Sequence, residues 1–292
     1  MFRQRFACFA VFILPSIAFC DDTKPIDKGQ RVFTTGHSFH VFVPGILRQL
    51  AVDGGYKDHV HVGTSSIGGS RVIQHWDVAD EKNTAKKALI DGKVDVFTMS
   101  PIYLPDDGIA NFVELGLKHN PDMRFTLQEF WLPFDVYAPN YQKKQPPKVD
   151  RNTRTVEQMR KEHEPYFKSM DDHVRELNKK HGKAAVVVVP VGQAVILLRE
   201  KIIEGKAPGL KNQDDLFTDA IGHVRAPVQA LNAYCHYAVI YRKSPVGLKA
   251  PTAKSKDKQA NMDETLNRML QELAWEAVTG HALSGVKAEG KR

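Results

Sequence analysis

Residues 184–189 read Ala-Ala-Val-Val-Val-Val, an unbroken apolar run between Lys183 and Pro190. A strand with one wet face alternates apolar and polar residues, so a run this uniform has to be covered on both faces. Covering both faces takes helices above and below a sheet, and helical crossovers leave neighbouring strands parallel. The rest of the chain supplies the parts. β-Rich runs occur at Arg31–Thr35, Lys57–Val62, Val94–Met99 and Arg124–Phe130, before the one at Ala184–Pro190. Helical patterns occupy 44–53, 83–91, 108–119, 155–181, 191–204, 227–242 and 263–278. Pro165 is expected to kink or divide the 155–181 stretch. The expected fold class is α/β, a doubly wound, mostly parallel sheet. Its ligand site belongs at the carboxyl ends of the strands, near the point where strand order reverses.

The chain of 292 residues is 42% apolar and 26% charged, enough to bury a core and too apolar for a disordered or collagen-like chain. Cysteine is too scarce for a disulfide framework: Cys8 and Cys20 lie in an apolar leader and Cys235 stands alone. Residues 1–20 have the layout of an export signal, with Arg3 and Arg5 first, an apolar Phe6–Phe19 stretch and a polar Asp21-Asp22 start to the remainder. Ile17-Ala18-Phe19-Cys20 loosely resembles a lipid-attachment site, although Phe19 is bulky for the position before the cysteine. Removing the leader takes two arginines and no acids, lowering the formal charge from +7 to +5. Much of the remaining surplus sits at Lys249–Lys258 and Lys287–Arg292, where a solvated surface and tail are the plain account. Aromatic and basic residues are not interleaved as in single-strand nucleic-acid binders, and no nucleic-acid partner is expected. No apolar run reaches the length of about 18 residues that a membrane span needs.

Three segments fall where a site on such a sheet would lie. Gly36-His37-Ser38-Phe39-His40 follows the first strand, and a serine in that position is placed as an exposed nucleophile. Ser65-Ser66-Ile67-Gly68-Gly69-Ser70 follows the second, with glycines that let backbone N–H groups face a developing negative charge. Asp219-Ala-Ile-Gly-His223 comes just before the 227–242 helix, and a carboxylate that close to an imidazole can orient it.

With these residues in this order, the chain resembles the SGNH (GDSL-like) hydrolase superfamily over roughly Val32 to Arg242. The resemblance implies a flavodoxin-like three-layer α/β/α fold on a five-stranded parallel sheet, and hydrolysis of esters. It implies that Ser38 is the nucleophile, His223 the general base and Asp219 its partner. Gly69, or alternatively Gly68, would give an N–H to the oxyanion. Three departures stand out. His37 replaces the usual aspartate before the serine. Asp219 and His223 are four apart rather than three, leaving Asp215 as a less favoured substitute. Where a Gly-x-Asn is expected after the third strand, the chain has Met99-Ser100-Pro101, so Ser100 or Asn111 would have to replace the asparagine. Losing one oxyanion donor costs about 3 kcal/mol, roughly a hundredfold in rate.

The other candidates are weaker. His59 and His61 lie two apart on a strand and could chelate zinc, but away from its carboxyl end and without an accompanying motif. No metal or cofactor is expected. Trp76 and Trp131 could line a cleft against sugar faces. The Pro-rich connection from Leu132 to Asn152 could form a wall or lid. Cys235 falls on an apolar stripe and is expected to be a buried thiol. The expected organisation is a leader at 1–20, a linker at 21–30, a hydrolase-like domain at 31–245, and a basic linker, helix and tail at 246–292. The expected function is a secreted or periplasmic serine esterase with a small-molecule or carbohydrate ester substrate. The alternative is a non-catalytic glycan- or acyl-binding protein on the same scaffold.

Overall fold

The computed structural model describes residues 24–138, 149–252 and 262–288. Five strands form one sheet: β1 (Arg31–Gly36), β2 (Val60–Ser66), β3 (Val96–Met99), β4 (Arg124–Gln128) and β5 (Val186–Val189). Their order is β2-β1-β3-β4-β5 and every pairing is parallel. This is the flavodoxin-like order, with the reversal between β1 and β3. The α-helices are α1 (Val43–Asp53), α2 (Val72–Trp76), α3 (Thr84–Ile90), α4 (Asp107–His119), α5 (Val156–His181), α6 (Val191–Ile203), α7 (Ala226–Tyr241) and α8 (Glu264–Gly280).

β3 is buried at all four positions, and β5 carries the Val run that announced a covered strand. α7 is buried along almost its whole length from Pro227 to Tyr241, so it lacks the wet face of a surface helix. α8 packs on α6 and α7, and Leu270, Leu273 and Val278 join the same core as the sheet.

Some expectations needed adjustment. β2 begins and ends later than the 57–62 run, because its second half is Thr64-Ser65-Ser66 on an exposed edge strand. β4 stops at Gln128 rather than Phe130. α5 runs unbroken through Pro165, so the proline does not divide it. Thr155 starts this helix by accepting the Gln158 N–H, and Gly182 ends it at φ 65°. The short α2 is a helix that the sequence pattern does not mark. It is held by Asp106, whose carboxylate accepts from the N–H groups of Val72, Ile73 and Gly108. Gly108 is required there, since a Cβ would lie 2.3 Å from Ile73 N.

The register sets the site. Gly36 pairs with Ser66, so the turns after β1 and β2 leave the sheet side by side. β3 ends at Met99 and β4 at Gln128 on the same edge. The turns holding Ser38, Gly68-Gly69 and Ser100 therefore emerge together at the carboxyl edge.

Candidate active site

Ser38 sits in the turn between β1 and α1 and is exposed, whereas its neighbours His37, Phe39 and His40 are buried. Its Oγ lies 2.9 Å from His223 Nε2, across 185 residues of chain. His223 Nδ1 lies 2.6 Å from Asp219 Oδ2. The four-residue spacing is accommodated within one turn. Asp219 Oδ1 accepts the N–H groups of Gly222 and His223, leaving Oδ2 for the ring. Gly222 has φ 104°, a conformation that suits glycine. Partial burial opposes ionisation of Asp219, but the bonds from the His223 ring and the two amides outweigh it and hold the carboxyl below its usual range. Asp215 does not take this place, because its Oδ2 accepts from the N–H groups of Lys211 and Asn212 instead.

The Ser38 turn rests on a buried polar network. His40 Nδ1 is 2.6 Å from Gln128 Oε1, and His40 Nε2 is 2.9 Å from Thr98 Oγ1. His236 Nε2 reaches the same Gln128 oxygen at 3.0 Å. Gln128 Nε2 donates to Phe39 O at 3.0 Å, which ties the turn to the end of β4. Burial lowers His40 to about 4 and holds His236 well below the normal histidine range, so both rings are neutral near pH 7. The acceptor role of Gln128 Oε1 then makes His40 Nδ1 and His236 Nε2 the protonated nitrogens.

The His37 ring lies against the Phe39 N–H and the Ser100 hydroxyl. Burial, followed by the nearby His40, lowers it to about 3. Its Nδ1 accepts the Phe39 N–H, so its Nε2 carries the proton and donates to Ser100 Oγ at 3.3 Å. Ser100 is 2% exposed and accepts this bond, leaving its own hydroxyl proton for another acceptor.

The Gly68-Gly69 turn is tied to β1 by Ile67 N–H donating to Gly36 O at 3.2 Å. His75 braces it, with Nδ1 on Ser65 Oγ at 2.8 Å and Nε2 on Ser70 Oγ at 2.7 Å. Gly69 has φ 62°, and a Cβ at Gly68 or Gly69 would meet nothing within 4 Å. Among the described residues, the N–H groups of Ser38, Gly68 and Gly69 donate to no protein acceptor.

Other expected site residues fall elsewhere. Trp131 is 2% exposed and stacks beneath Phe39 at 4.7 Å, so it is packing rather than a sugar platform. Trp76 packs edge-on to Phe112, with the Lys86 ammonium over its ring. His59 bonds to Tyr241 Oη and His61 to Thr64 Oγ1, and the two do not converge. Among the described residues, no three or more His, Cys, Asp or Glu are grouped to hold a metal ion. Cys235 is buried, and burial pushes its thiol pKa up. Among the described residues, no helix is long and apolar enough to cross a membrane. The leader at 1–20, the middle of the Leu132–Asn152 connection and most of the basic stretches lie outside the described residues.

No known family profile and no curated protein matches the chain. Among solved structures, a DUF4886 family protein from Bacteroides uniformis is similar over 86% of this chain and 95% of its own, at 16% identity and a TM-score of 0.56. An inferred SGNH hydrolase from Slackia heliotrinireducens overlays on 72% of this chain and 97% of its own, at 15% identity and a TM-score of 0.43. An inferred GDSL-like lipase from Parabacteroides merdae covers 73% and 96%, at 13% identity and a TM-score of 0.41. The first likeness extends to the fold alone.

Proposed function

We propose that the protein is a serine hydrolase that cleaves carboxylic esters. The observation that carries this is the chain of contacts Ser38 Oγ–His223 Nε2–Asp219, at 2.9 and 2.6 Å, on the carboxyl edge of the sheet. Ser38 attacks the ester carbonyl while His223 takes its proton. Asp219 orients the ring and stabilises its protonated form. His223 then returns the proton to the departing alcohol, and a water activated by the same ring releases the acid from the acyl-enzyme.

The oxyanion would be met by the N–H groups of Ser38 and of Gly69 or Gly68, which have no acceptor among the described residues. The Ser100 hydroxyl, its oxygen already bound by the His37 ring, would supply the third donor in place of an asparagine. We infer further that the enzyme is exported, from the layout of residues 1–20, and that its substrate is an acylated carbohydrate or another small ester. The exposure of Ser38 agrees with a substrate approaching from open solvent.

The test is hydrolysis of a short activated ester by the wild type and by Ser38→Ala, with labelling by an organophosphonate. Turnover and labelling at Ser38 are expected in the wild type, and both are lost in the variant. A wild type with neither would overturn the hydrolase in favour of a glycan- or acyl-binding protein on the same scaffold. That protein would bind its ligand equally well after Ser38→Ala.

A further inference from the structure

The loop that carries Asp219 and His223 belongs to no helix and to no strand of the sheet. Its ends close on each other through a Phe217–Val224 bridge and a Thr218 N–H to His223 O bond of 2.7 Å. Its tip offers four consecutive carbonyls, and each accepts a hydrogen bond from the connection between β4 and α5. Arg151 donates from Nη1 to Asp219 O at 3.2 Å and from Nη2 to Ala220 O at 2.7 Å. Phe134 N–H donates to Ile221 O at 3.0 Å, and Trp131 Nε1–H to Gly222 O at 2.7 Å.

These donors are themselves held firmly. Arg151 is 5% exposed, with its guanidinium 4.3 Å over the Phe217 ring. Phe134 and Asp135 adopt φ of 57° and 60°, a left-handed backbone that is strained for residues other than glycine. Such strain persists only where the surroundings over-determine it. Here Arg199, 1% exposed on α6, grips both oxygens of Asp135 at 2.5 and 2.9 Å.

We propose that Arg151, together with Phe134 and Trp131, forms a clamp that positions the acid–base pair against Ser38. The proposal rests on the assignment of Ser38, His223 and Asp219 made above. Arg151 is a positioning residue: it grips the loop backbone and leaves the reacting atoms to others. A displacement of about 1 Å at a catalytic group can cost about a hundredfold in rate, so the grip has kinetic leverage.

The experiment compares wild type, Arg151→Ala and Arg151→Lys as full chains. It measures kcat and KM on a short activated ester, and hydrogen exchange at the Gly222 and His223 amides that bond to Asp219 Oδ1. Arg151→Ala is expected to lower kcat about thirtyfold to a hundredfold with KM within about twofold. Exchange at the two amides should rise at least about tenfold while amides in the middle of α7 keep their protection. Arg151→Lys, which keeps a cation but loses the planar fork, should fall in between. If Arg151→Ala does not fold, Arg151→Lys decides on the same two readouts. A folded variant with unchanged kcat and unchanged exchange overturns the clamp. A wild type without turnover would remove the hydrolase assignment, while the exchange readout still decides whether the clamp holds the loop.

Discussion

The two arms of the candidate site are held in different ways. The Ser38 turn is short, follows a central strand and sits on buried side chains: His37, His40, Gln128 and His236. The Asp219–His223 arm is a loop beyond the sheet, with the Asp219 and His223 side chains about 40% exposed, held by its main-chain carbonyls. The first arm is a product of the topology, since any chain with this strand order delivers a turn there. The second is an attachment, and its placement depends on a partner segment more than sixty residues earlier in the chain. Damage to the first should therefore appear mainly as lost stability, and damage to the second mainly as lost rate.

The largest kinetic effect is expected from Asp219→Asn, which takes the charge away from the ring. Steady-state turnover should fall about a thousandfold or more while the thermal midpoint moves little. Gln128→Leu tests the opposite arm. It leaves the ring N–H groups of His40 and His236 without their acceptor and Phe39 O without its closest donor. Denaturant unfolding should show a loss of about 3 kcal/mol or more, since each orphaned buried group costs about 1–3 kcal/mol.

Acid should act on the buried histidines before it reaches Asp219. His37, His40 and His236 have lowered folded pKa values because burial disfavours their charged forms. Between their unfolded value near 6.5 and the folded value of about 4 for His40, the unfolded chain binds more protons. Their contribution is full above pH 6.5 and is lost as pH falls through that window, at about 1.4 kcal/mol per unit for each ring. Asp219, held below the ordinary carboxylate value of 3.8, loses its contribution only below that pH. His59, His75 and His163 are also lowered to about 4, chiefly by burial. A stability–pH curve falling between pH 6.5 and 4 therefore reports these rings together with the Ser38 network, and the part of the fall that Gln128→Leu alters belongs to that network. A flat curve there would contradict the neutral network. The smallest effect belongs to Asp215→Asn. Its remaining oxygen can still accept the Lys211 and Asn212 amides, so kcat should stay within about threefold of wild type.

The same contrast explains which parts of the molecule are legible in its sequence. Strand identity was legible where burial dictates composition, as at Val186–Val189, and blurred at β2, where an edge position tolerates Thr and Ser. Ser38 was legible because a turn after a central strand has a fixed address. His223 and Asp219 were legible as a local pair and by family resemblance, yet the length of their spacing made sense only once Gly222 showed how the turn closes. The clamp left no trace in the sequence. Its acceptors are backbone carbonyls, which every residue has, and its donors look like an ordinary tryptophan and arginine in a Pro-rich connection. His75 was equally silent, as a ring wedged between Ser65 and Ser70 has no spacing signature.

Trp131 touches both arms, with its face on Phe39 and its indole N–H on Gly222 O. At 2% exposure it is shielded from water, while Trp76 and Trp275 are only half-buried. The joint thus carries its own optical gauge. Parting of the arms would wet one indole and redden its emission, making the assembly of the site visible in a cuvette without any added dye.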